Sequence, residues 1–408
     1  MPGCPQLCLW FERDLDDVLT PPASGQDQPI VVVGGGFAGL SAALAFSRLH
    51  PRPAVVLIEP RERFVFVPLL YELMSGELQG WEVAPDYASL LQGRGISHLQ
   101  DRVRSVDLNA GTIVTASGRQ LTYSQLVLAT GAQPDDFGIP GVSEHALYFH
   151  SLQDLAPLQQ RLQQLRRLPT KTSTLMIAGA GATGVELACK VVDLLDGAAS
   201  VSLVELGDQI LPRSRAFNRE QAVKALEKRG VTTYLNTRVE SVSSDSVRLN
   251  GPQGSRDQPH GGLVWTAGSR PTLPDLSPAV ALHKGRLPVT AELRLEEHQD
   301  VMVLGDIAIH TKDDEPSGWP FSAQAAIQQG QFAAKELQAR LQQRDPSPFV
   351  FRDLGEMLSL GIGDASITGL GLTLAGPLAF KLRRLTYLTR LPGLSLGLRA
   401  AGAWLISP

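Results

Sequence analysis

Two stretches of this sequence repeat one pattern: an apolar run, a glycine-rich turn and the start of a helix. Gly34-Gly35-Gly36-Phe37-Ala38-Gly39 follows Ile30-Val31-Val32-Val33, and Gly179-Ala180-Gly181-Ala182-Thr183-Gly184 follows Leu175-Met176-Ile177-Ala178. The first glycine permits a tight turn, the second lets the backbone approach a pyrophosphate, and the third lets helix and strand pack closely. The helix start offers N–H groups and a positive dipole end to phosphates. Two copies therefore predict two dinucleotide sites in one chain.

A carboxylate follows each glycine turn at the distance that such a site requires. Glu59 ends the apolar run Val55-Val56-Leu57-Ile58, and Glu205 ends Val201-Ser202-Leu203-Val204, each about 20 residues after its turn. A carboxylate there accepts hydrogen bonds from a ribose hydroxyl; the alternative is an ordinary charge at a strand end. Two dinucleotides in one enzyme usually mean a resident FAD and a visiting NADH or NADPH that gives hydride to the flavin.

This pattern predicts an α/β fold with two Rossmann-like dinucleotide-binding domains, the second inserted into the first. Leucines at helical spacing predict an amphipathic connecting helix within residues 151–171. The expected divisions are a tail over 1–28, an FAD-binding domain over 29–165 and 289–350, an NAD(P)H-binding domain over 166–288, and a C-terminal membrane-association region over 351–408.

Composition excludes several classes of function. The net charge of −4 gives no reason to expect nucleic acid as a partner. Three cysteines form no disulfide framework, which favours a reducing compartment, and neither glycine turn is followed by a redox-active cysteine pair. The sequence contains no Cys/His cluster that resembles a metal site. The first 28 residues carry five acidic residues and one Arg, the wrong charge for a targeting peptide.

Further segments fit a two-dinucleotide enzyme. A strand ending in Ala129-Thr130-Gly131 brings backbone close to a flavin, and Ala267-Gly268 echoes it in the second domain. Gly305-Asp306 ends another strand, where the acid is placed to bind the ribityl chain or serves as a plain turn residue. A helix from about 321 to 343 opens with small residues, which allow close approach to something flat. Its Gln324 and Gln328 share one face and either face a quinone or flavin or form a polar helix surface.

The chain has no acidic residue after Asp364. Its remaining charges there are basic, and they alternate with many leucines and the aromatic residues Tyr387 and Trp404. A basic, apolar-rich segment of this kind lies in a membrane interface without spanning it. We therefore expect residues 377–408 to bind a lipid surface as two short helices separated at Pro392-Gly393; the alternative is a core helix pair or a dimer interface. The basic residues are Lys381, Arg383, Arg384, Arg390 and Arg399.

The sequence resembles the type II NAD(P)H:quinone oxidoreductases, single-subunit FAD enzymes that pump no protons, over nearly everything from Ile30 onward. The resemblance is carried by the first glycine turn, by Arg63-Phe64-Val65-Phe66-Val67-Pro68-Leu69-Leu70-Tyr71, by Gly181-Ala182-Thr183-Gly184-Val185-Glu186 and by Ala323-Gln324-Ala325-Ala326-Ile327-Gln328. It implies a glutathione-reductase-like fold. Longer matches, such as Trp81-Glu82-Val83-Ala84-Pro85, are most like the cyanobacterial and plastid branch, which includes demethylphylloquinone reductases.

The resemblance also implies roles for individual residues. Pro68 and Leu69 would pass along the isoalloxazine, and Glu186 would lie near the quinone as a proton donor or relay; its alternative role is a helix-start acid stabilised by the dipole. Gln324 and Gln328 become neighbours of quinone and flavin. The predicted FAD-binding residues are Gly34, Gly36, Phe37, Ala38, Gly39, Glu59, Pro68, Leu69, Ala129, Thr130, Gly131, Gly305, Asp306, Ala323 and Gln324. The predicted NAD(P)H-binding residues are Gly179, Gly181, Ala182, Thr183, Gly184, Glu205, Ala267 and Gly268.

The expected function is transfer of hydride from NAD(P)H to FAD and then of two electrons to a membrane quinone such as demethylphylloquinone, plastoquinone or menaquinone. The expected location is the cytoplasmic or stromal face of a plasma or thylakoid membrane, and the resemblance leaves a homodimer open. Glu205 favours NADH because it would repel a 2′-phosphate, whereas the demethylphylloquinone branch is associated with NADPH. The alternative function is a soluble flavoprotein reductase that passes electrons to a ferredoxin-like protein.

Overall fold

The computed structural model describes residues 28–167, 173–310, 319–392, 397 and 399–401. Contacts divide the chain into two compact units. Unit 1 holds the described residues up to Phe64 together with Pro85–Ala132 and Pro271–Arg352. Unit 2 holds Val65–Ala84, Gln133–Arg270 and the described residues from Asp353 onward.

The described chain contains both helices and strands. The helices are α1 (Phe37–Phe46), α2 (Leu70–Ser75), α3 (Gly80–Val83), α4 (Tyr87–Leu91), α5 (Val142–His145), α6 (Leu155–Arg167), α7 (Ala182–Leu195), α8 (Ala216–Lys228), α9 (Ala323–Leu341) and α10 (Pro377–Leu388). The strands are β1 (Ile30–Val33), β2 (Val55–Ile58), β3 (Ile96–Leu99), β4 (Val103–Asp107), β5 (Thr112–Thr115), β6 (Gln120–Thr122), β7 (Gln125–Leu128), β8 (Ala132–Pro134), β9 (Leu147–Tyr148), β10 (Thr174–Ala178), β11 (Ser200–Val204), β12 (Thr232–Tyr234), β13 (Arg238–Val242), β14 (Ser246–Gly251), β15 (Gly254–Pro259), β16 (Gly262–Trp265), β17 (Ser269–Pro271), β18 (Asp275–Ser277), β19 (Leu287–Val289), β20 (Arg294–Leu295), β21 (His298–Val303), β22 (Ala308–His310), β23 (Glu356–Ser359), β24 (Ala365–Gly369) and β25 (Leu372–Ala375).

Unit 1 is built on an eight-stranded sheet in the order β22-β19-β20-β21-β7-β1-β2-β3. Strands β21, β7, β1, β2 and β3 run parallel, with Ile30 beside Val55 on one side and Gln125 on the other. The central strand β1 is fully buried, as its unbroken apolar run predicts for a parallel sheet covered on both faces. The carboxyl ends of β1, β2, β7 and β21 therefore meet at one edge, where ligands bind in open α/β sheets.

Unit 2 contains a five-stranded parallel sheet in the order β12-β11-β10-β16-β9. Two antiparallel three-stranded sheets accompany it, β13-β14-β15 and β23-β24-β25. Helix α10 packs on the β23-β24-β25 sheet through Ala379 and Phe380, which meet Ala365 and Ile367. The predicted connecting helix is present as α6, and its leucines at positions 155, 158, 162 and 165 are all buried.

The compact units differ from the domain divisions expected from the sequence. An NAD(P)H-binding domain over 166–288 and a separate C-terminal region over 351–408 were expected, whereas unit 2 joins the C-terminal segment to Val65–Ala84 and Gln133–Arg270. Segment 65–84 joins unit 2 because Leu70, Tyr71 and Met74 are buried in the same apolar core as helix α7. Residues 271–288 join unit 1 because β18 pairs with β4 and β19 pairs with β22. These assignments depend on contacts between segments that are distant in sequence, which a reading along the chain does not reveal.

The small residues at the start of α9 pack against another helix of unit 1. A Cβ atom added to Gly330 would lie 2.4 Å from the carbonyl oxygen of Ala38 and 2.7 Å from the Cβ of Ser41. Ala325 and Ala326 are also buried. At Gly330 the small side chain therefore permits contact between the backbones of α9 and α1, and the flat partner expected from the sequence is not required there.

This contact gives a stability prediction. Gly330→Ala should destabilise the protein by about 1–3 kcal/mol, because the added methyl group overpacks a backbone contact. Gly80→Ala is the matched control, since a Cβ atom there would meet nothing within 4 Å. Thermal unfolding of both variants measures the difference. Equal melting temperatures for the two variants would contradict the tight α1–α9 contact.

Candidate functional site

The first glycine turn has the geometry that a phosphate-binding turn needs. Gly34 has φ +96°, and a Cβ atom there would lie 2.4 Å from the carbonyl oxygen of Ala129. A Cβ atom on Gly39 would lie 1.8 Å from the oxygen of Gly34. At Gly36 a Cβ atom would meet nothing within 4 Å, and helix α1 starts there without a side-chain cap. The helix start thus faces open space with its N–H groups uncapped by side chains, which fits a pyrophosphate.

Glu59 is buried beside this turn and holds it in place. Its Oε2 accepts the N–H of Gly35 at 2.7 Å and a terminal nitrogen of Arg61 at 3.1 Å, and its Oε1 accepts Nε of Arg61 at 2.7 Å. Burial raises the pKa of Glu59, but Arg61 and the Gly35 N–H outweigh it and keep the pKa below its ordinary value. Its role toward a ribose stays a prediction, and a ribose hydroxyl would share these oxygens with Arg61.

A residue that sequence reasoning missed positions the Gly305-Asp306 turn. Gln329, which is buried, accepts the N–H of Gly305 on its Oε1 at 2.6 Å. Gly305 has φ +72°, which favours glycine there. The neighbouring Ala129-Thr130-Gly131 turn is also fixed, since the Ala129 N–H donates to Val33 at 2.8 Å. The sequence shows Gln329 only as an amide residue within the predicted helix, and its burial is known from the structure.

The second glycine turn, in unit 2, repeats the first almost bond for bond. Gly179 has φ +103°, and a Cβ atom on Gly184 would lie 1.8 Å from the oxygen of Gly179. Glu205 accepts the N–H of Ala180 at 2.7 Å and the N–H of Gly207 at 2.8 Å. Around Gly181 a Cβ atom would meet nothing within 4 Å. This turn therefore has room for a second dinucleotide, with Ala182 and Thr183 in the first turn of α7.

The Ala267-Gly268 turn is placed beside the second glycine turn. A Cβ atom on Gly179 would lie 2.9 Å from the backbone nitrogen of Ala267. Gly268 has φ +72°, and a Cβ atom there would lie 2.2 Å from the ring of Phe137, a side chain that is 61% exposed. The predicted NAD(P)H-binding residues thus meet within unit 2, next to an exposed aromatic ring.

The two predicted quinone-facing glutamines lie at the start of α9, in unit 1. Gln328 donates from Nε2 to the carbonyl of Arg352 at 2.9 Å, and its Oε1 accepts the N–H of Arg352 at 3.0 Å. Its amide therefore fixes the backbone that leaves unit 1. Ser322 caps the helix by accepting the N–H of Ala325 at 3.2 Å, which places Ala323 and Gln324 in the first turn. Contact of Gln324 and Gln328 with a quinone stays a prediction.

Glu186 lies in a buried ion cluster of unit 2. Its Oε1 accepts the N–H of Ser359 at 2.7 Å and lies 3.7 Å from a terminal nitrogen of Arg383. Arg383 also pairs with Glu72, and both of these side chains are fully buried. Burial raises the pKa of Glu186 to about 7, with Arg383 and the Ser359 N–H opposing the rise and Glu72 adding to it. Helix α7 has no acidic residue in its first turn, so Glu186 lies past the turn in which the dipole effect, the alternative for this residue, is strong.

The C-terminal helix differs from the expected lipid-facing helix at two residues. Arg383, counted among its basic surface residues, points inward and is fully buried, and it donates to the carbonyl of Pro68 at 2.7 Å. Tyr387, expected at headgroup level, packs edge-on against Phe66 with ring centroids 5.3 Å apart. The spacing of charges does not reveal this, because Arg383 is buried by partners far away in sequence. The opposite face still exposes Leu378 and Leu385 at 65% and 57%.

Part of the predicted C-terminal region lies outside the described residues, including Trp404 and most of the second short helix. The predicted N-terminal tail with Cys4 and Cys8 also lies outside them. In the part of the chain that the structure describes, no helix is both long and apolar enough to cross a membrane. Cys189 is buried, and burial raises the pKa of its thiol to about 12, as expected for a packing residue.

Comparison with known proteins gives consistent matches. A family model described as pyridine nucleotide-disulphide oxidoreductase matches residues 28–330. The demethylphylloquinone reductase NdbB of Synechocystis is 34% identical over 93% of this chain and 96% of that protein. The alternative NAD(P)H-ubiquinone oxidoreductase C1 of Arabidopsis thaliana is also 34% identical, over 89% of this chain and 78% of that protein.

Among solved structures, NDH2 of Plasmodium falciparum in complex with NADH superposes with a TM-score of 0.81. The match covers 91% of this chain and 96% of that chain at 17% sequence identity. This likeness shows the fold, which is the two-dinucleotide α/β fold predicted from the glycine turns.

Proposed function

The chain belongs to the pyridine nucleotide-disulphide oxidoreductases, and among them to the type II NAD(P)H:quinone oxidoreductases; from this premise we propose which residues carry the reaction and which quinone it reduces. The activity is FAD-dependent oxidation of NADH or NADPH by a quinone. FAD, when bound, supplies the chemistry by accepting hydride from the nicotinamide and passing two electrons to the quinone. The proposed acceptor is a prenylated naphthoquinone such as demethylphylloquinone, in keeping with the name of the Synechocystis relative, which matches over 93% of this chain and 96% of that protein.

The residues of the first turn fit FAD as the resident cofactor. Gly36 leaves room for the pyrophosphate at the start of α1, and Gly34 and Gly39 permit the close backbone contacts that form the turn. Gln329 holds the backbone of Gly305, and this turn would carry Asp306 toward the ribityl chain. Four N–H groups, one from Gly35 and three from Arg61, donate to Glu59. This arrangement positions the acid before any ligand arrives.

Glu186 is the observation that carries the proposed quinone chemistry. Reduction of a quinone to a quinol takes up two electrons and two protons. The hydride given by NAD(P)H accounts for both electrons and one proton, so one further proton is needed. A buried carboxyl with a pKa near 7 holds a proton at neutral pH and releases it without a large energetic cost. Glu186 would give this proton to the quinone and recover it from solvent.

The activity is tested by steady-state oxidation of NADH and NADPH by the purified, FAD-loaded protein. Detergent-dispersed prenylated naphthoquinone should support fast turnover, and prenylated benzoquinone slower turnover. Glu186→Gln should lower quinone-dependent kcat by about 10²-fold and leave reduction of the flavin by NADH unchanged. Cys189→Ala, a buried change three positions along the same helix, is the control and should keep kcat.

Slow oxidation that no quinone accelerates would contradict the proposal. If a ferredoxin-like protein accelerated it instead, the alternative of a protein-directed reductase would replace the quinone reaction.

Glu205 is the residue proposed to distinguish NADH from NADPH. Its two oxygens accept backbone N–H groups from Ala180 and Gly207, so its carboxylate is fixed where a ribose would bind. Arg215, which could have met a 2′-phosphate, pairs instead with Asp353 at 2.6 Å. We propose that Glu205 accepts hydrogen bonds from the ribose of NADH or NADPH and penalises the 2′-phosphate of NADPH.

Glu205→Gln should therefore raise the ratio of kcat/KM for NADPH over that for NADH by about tenfold, or about 1.4 kcal/mol, because a like charge is removed. Asp208→Asn removes an exposed charge three positions away and should leave the ratio unchanged. Steady-state kinetics with both nucleotides measure it. An equal ratio in wild type and Glu205→Gln would remove Glu205 from nucleotide selection.

The membrane contact is proposed for the outer face of α10. Leu378 and Leu385 are exposed there, and Lys381 between them is exposed as well. An apolar and basic helix face of this kind binds an anionic lipid surface. Deleting α10 would strip Glu72 of its partner Arg383, so substitutions on the outer face test the contact more cleanly than truncation does.

The double variant Leu378→Glu/Leu385→Glu should lose flotation with anionic liposomes, because it replaces apolar area with like charge. Leu341→Glu alters a leucine of similar exposure, 69%, on α9 and should float as wild type does. Flotation of the double variant at the wild-type level would contradict a lipid-binding role for this face.

A further inference from the structure

The buried cluster around Glu186 contains two further charged side chains. Three side chains from distant segments meet there: Glu72 from α2, Glu186 from α7 and Arg383 from α10. Glu72 and Arg383 have no exposed surface, and Glu186 is 7% exposed. One guanidinium thus serves two carboxyl groups in a site without solvent, where charges interact strongly.

The two carboxyl groups share Arg383 unequally. Arg383 forms a direct hydrogen bond with Glu72, whereas its nearest nitrogen lies 3.7 Å from Glu186. It also donates to the carbonyl of Pro68 at 2.7 Å, which fixes its orientation. At Glu186 the attraction of Arg383 is therefore partly cancelled by the negative charge of Glu72. Opposite and like charges within a few ångströms shift a carboxyl group in opposite directions.

The other ionisable groups near Glu186 are either neutral hydroxyl groups or already paired. Tyr71 on α2 hydrogen-bonds to Glu186 and Tyr387 on α10 lies near it. Along α7 itself, Lys190 pairs with Glu77 at 2.5 Å and Asp193 pairs with Arg229 at 2.7 Å. Glu72 and Arg383 are therefore the two charged groups that act on Glu186, because the other charged side chains named here are paired with residues outside the cluster.

We propose that Glu72 and Arg383 are positioning residues that set the proton affinity of Glu186 in opposite directions, Glu72 raising it and Arg383 lowering it. The inference rests on the proposed function, in which Glu186 gives a proton to the quinone. It assigns the buried arginine of the C-terminal helix a role in the reaction besides holding that helix in place. Neither Glu72 nor Arg383 needs to touch the quinone for this effect.

The test measures protonation of Glu186 directly in the full-length, FAD-loaded protein. The infrared carbonyl band of its protonated carboxyl group, identified by its loss in Glu186→Gln, is followed as a function of pH. Glu72→Gln removes the like charge and should lower the titration midpoint by about one pH unit or more. Arg383→Gln removes the opposite charge and should raise the midpoint by a similar amount, with a smaller change in Arg383→Lys.

The pH profile of quinone-dependent turnover should move with the infrared midpoint. The protonated form of Glu186 is the donor, so turnover falls as pH rises through the pKa. The fall should therefore occur at lower pH in Glu72→Gln and at higher pH in Arg383→Gln. A residue that only stabilises the fold would lower the melting temperature in both variants without moving the two profiles apart.

Glu336→Gln is the matched control, because Glu336 and Arg294 form an equally buried pair in unit 1. It should lower stability without moving the midpoint of Glu186. The inference is overturned if the midpoint moves in the same direction in Glu72→Gln and Arg383→Gln, if it moves in neither, or if Glu336→Gln moves it equally. Opposite infrared shifts in a protein without quinone turnover would support the inference and contradict the proposed function.

Discussion

The packing of helix α10 against segment 65–84 within unit 2 depends on the burial of Arg383. A guanidinium removed from water costs several kcal/mol unless it is paired and hydrogen-bonded. Here Glu72 and the carbonyl of Pro68, two groups of segment 65–84, accept hydrogen bonds from the two terminal nitrogens of Arg383, while its Nε is buried without a hydrogen-bond partner. Helix α10 therefore has one favourable position on unit 2, and segment 65–84 is held there with it. Burial lowers the pKa of Arg383, but Glu72, Tyr387 and Glu186 together outweigh burial and raise that pKa above its ordinary value.

The two glycine turns show how one local solution serves two different ligands. In both, the first glycine of the turn packs against the residues that follow a neighbouring strand of the sheet, β7 or β16. In both, the acid accepts the N–H of the residue after that glycine, Gly35 or Ala180. They differ in what surrounds the acid. Both acids accept two backbone N–H groups, but Glu59 is also paired with the side chain of Arg61, whereas Arg215 pairs with Asp353. We interpret the first as suited to a resident cofactor and the second to a nucleotide that comes and goes.

The elements around the glycine turns could be predicted from the sequence because their causes are local. Each turn needs positive φ at its first glycine, Gly34 or Gly179, and a pattern of six residues is enough to predict it. The apolar runs around the turns predict buried parallel strands. The leucine spacing of α6 was equally sufficient. In each case the residues that cause the structure lie next to one another in the chain.

Other features could not be predicted because their causes lie far apart in sequence. Arg383 and Glu72 are separated by 311 positions, and a basic residue among leucines is typical of a lipid-facing helix as well as of a buried ion pair. The spacing of Gln324 and Gln328 identifies a shared helix face but not its direction. The buried amide that holds Gly305 belongs to Gln329, one position along, where the packing of α9 decides which residue faces inward.

The most direct test of the account is a single-turnover experiment on the bound flavin. The FAD-loaded protein is reduced with NADH without oxygen, mixed rapidly with prenylated naphthoquinone, and followed by flavin absorbance. If Glu186 gives a proton to the quinone, the flavin should be reoxidised rapidly and completely. The rate should fall as pH rises through about 7, where Glu186 loses its proton. A flavin that stays reduced with every quinone, or reoxidation with no dependence on Glu186, would contradict the account.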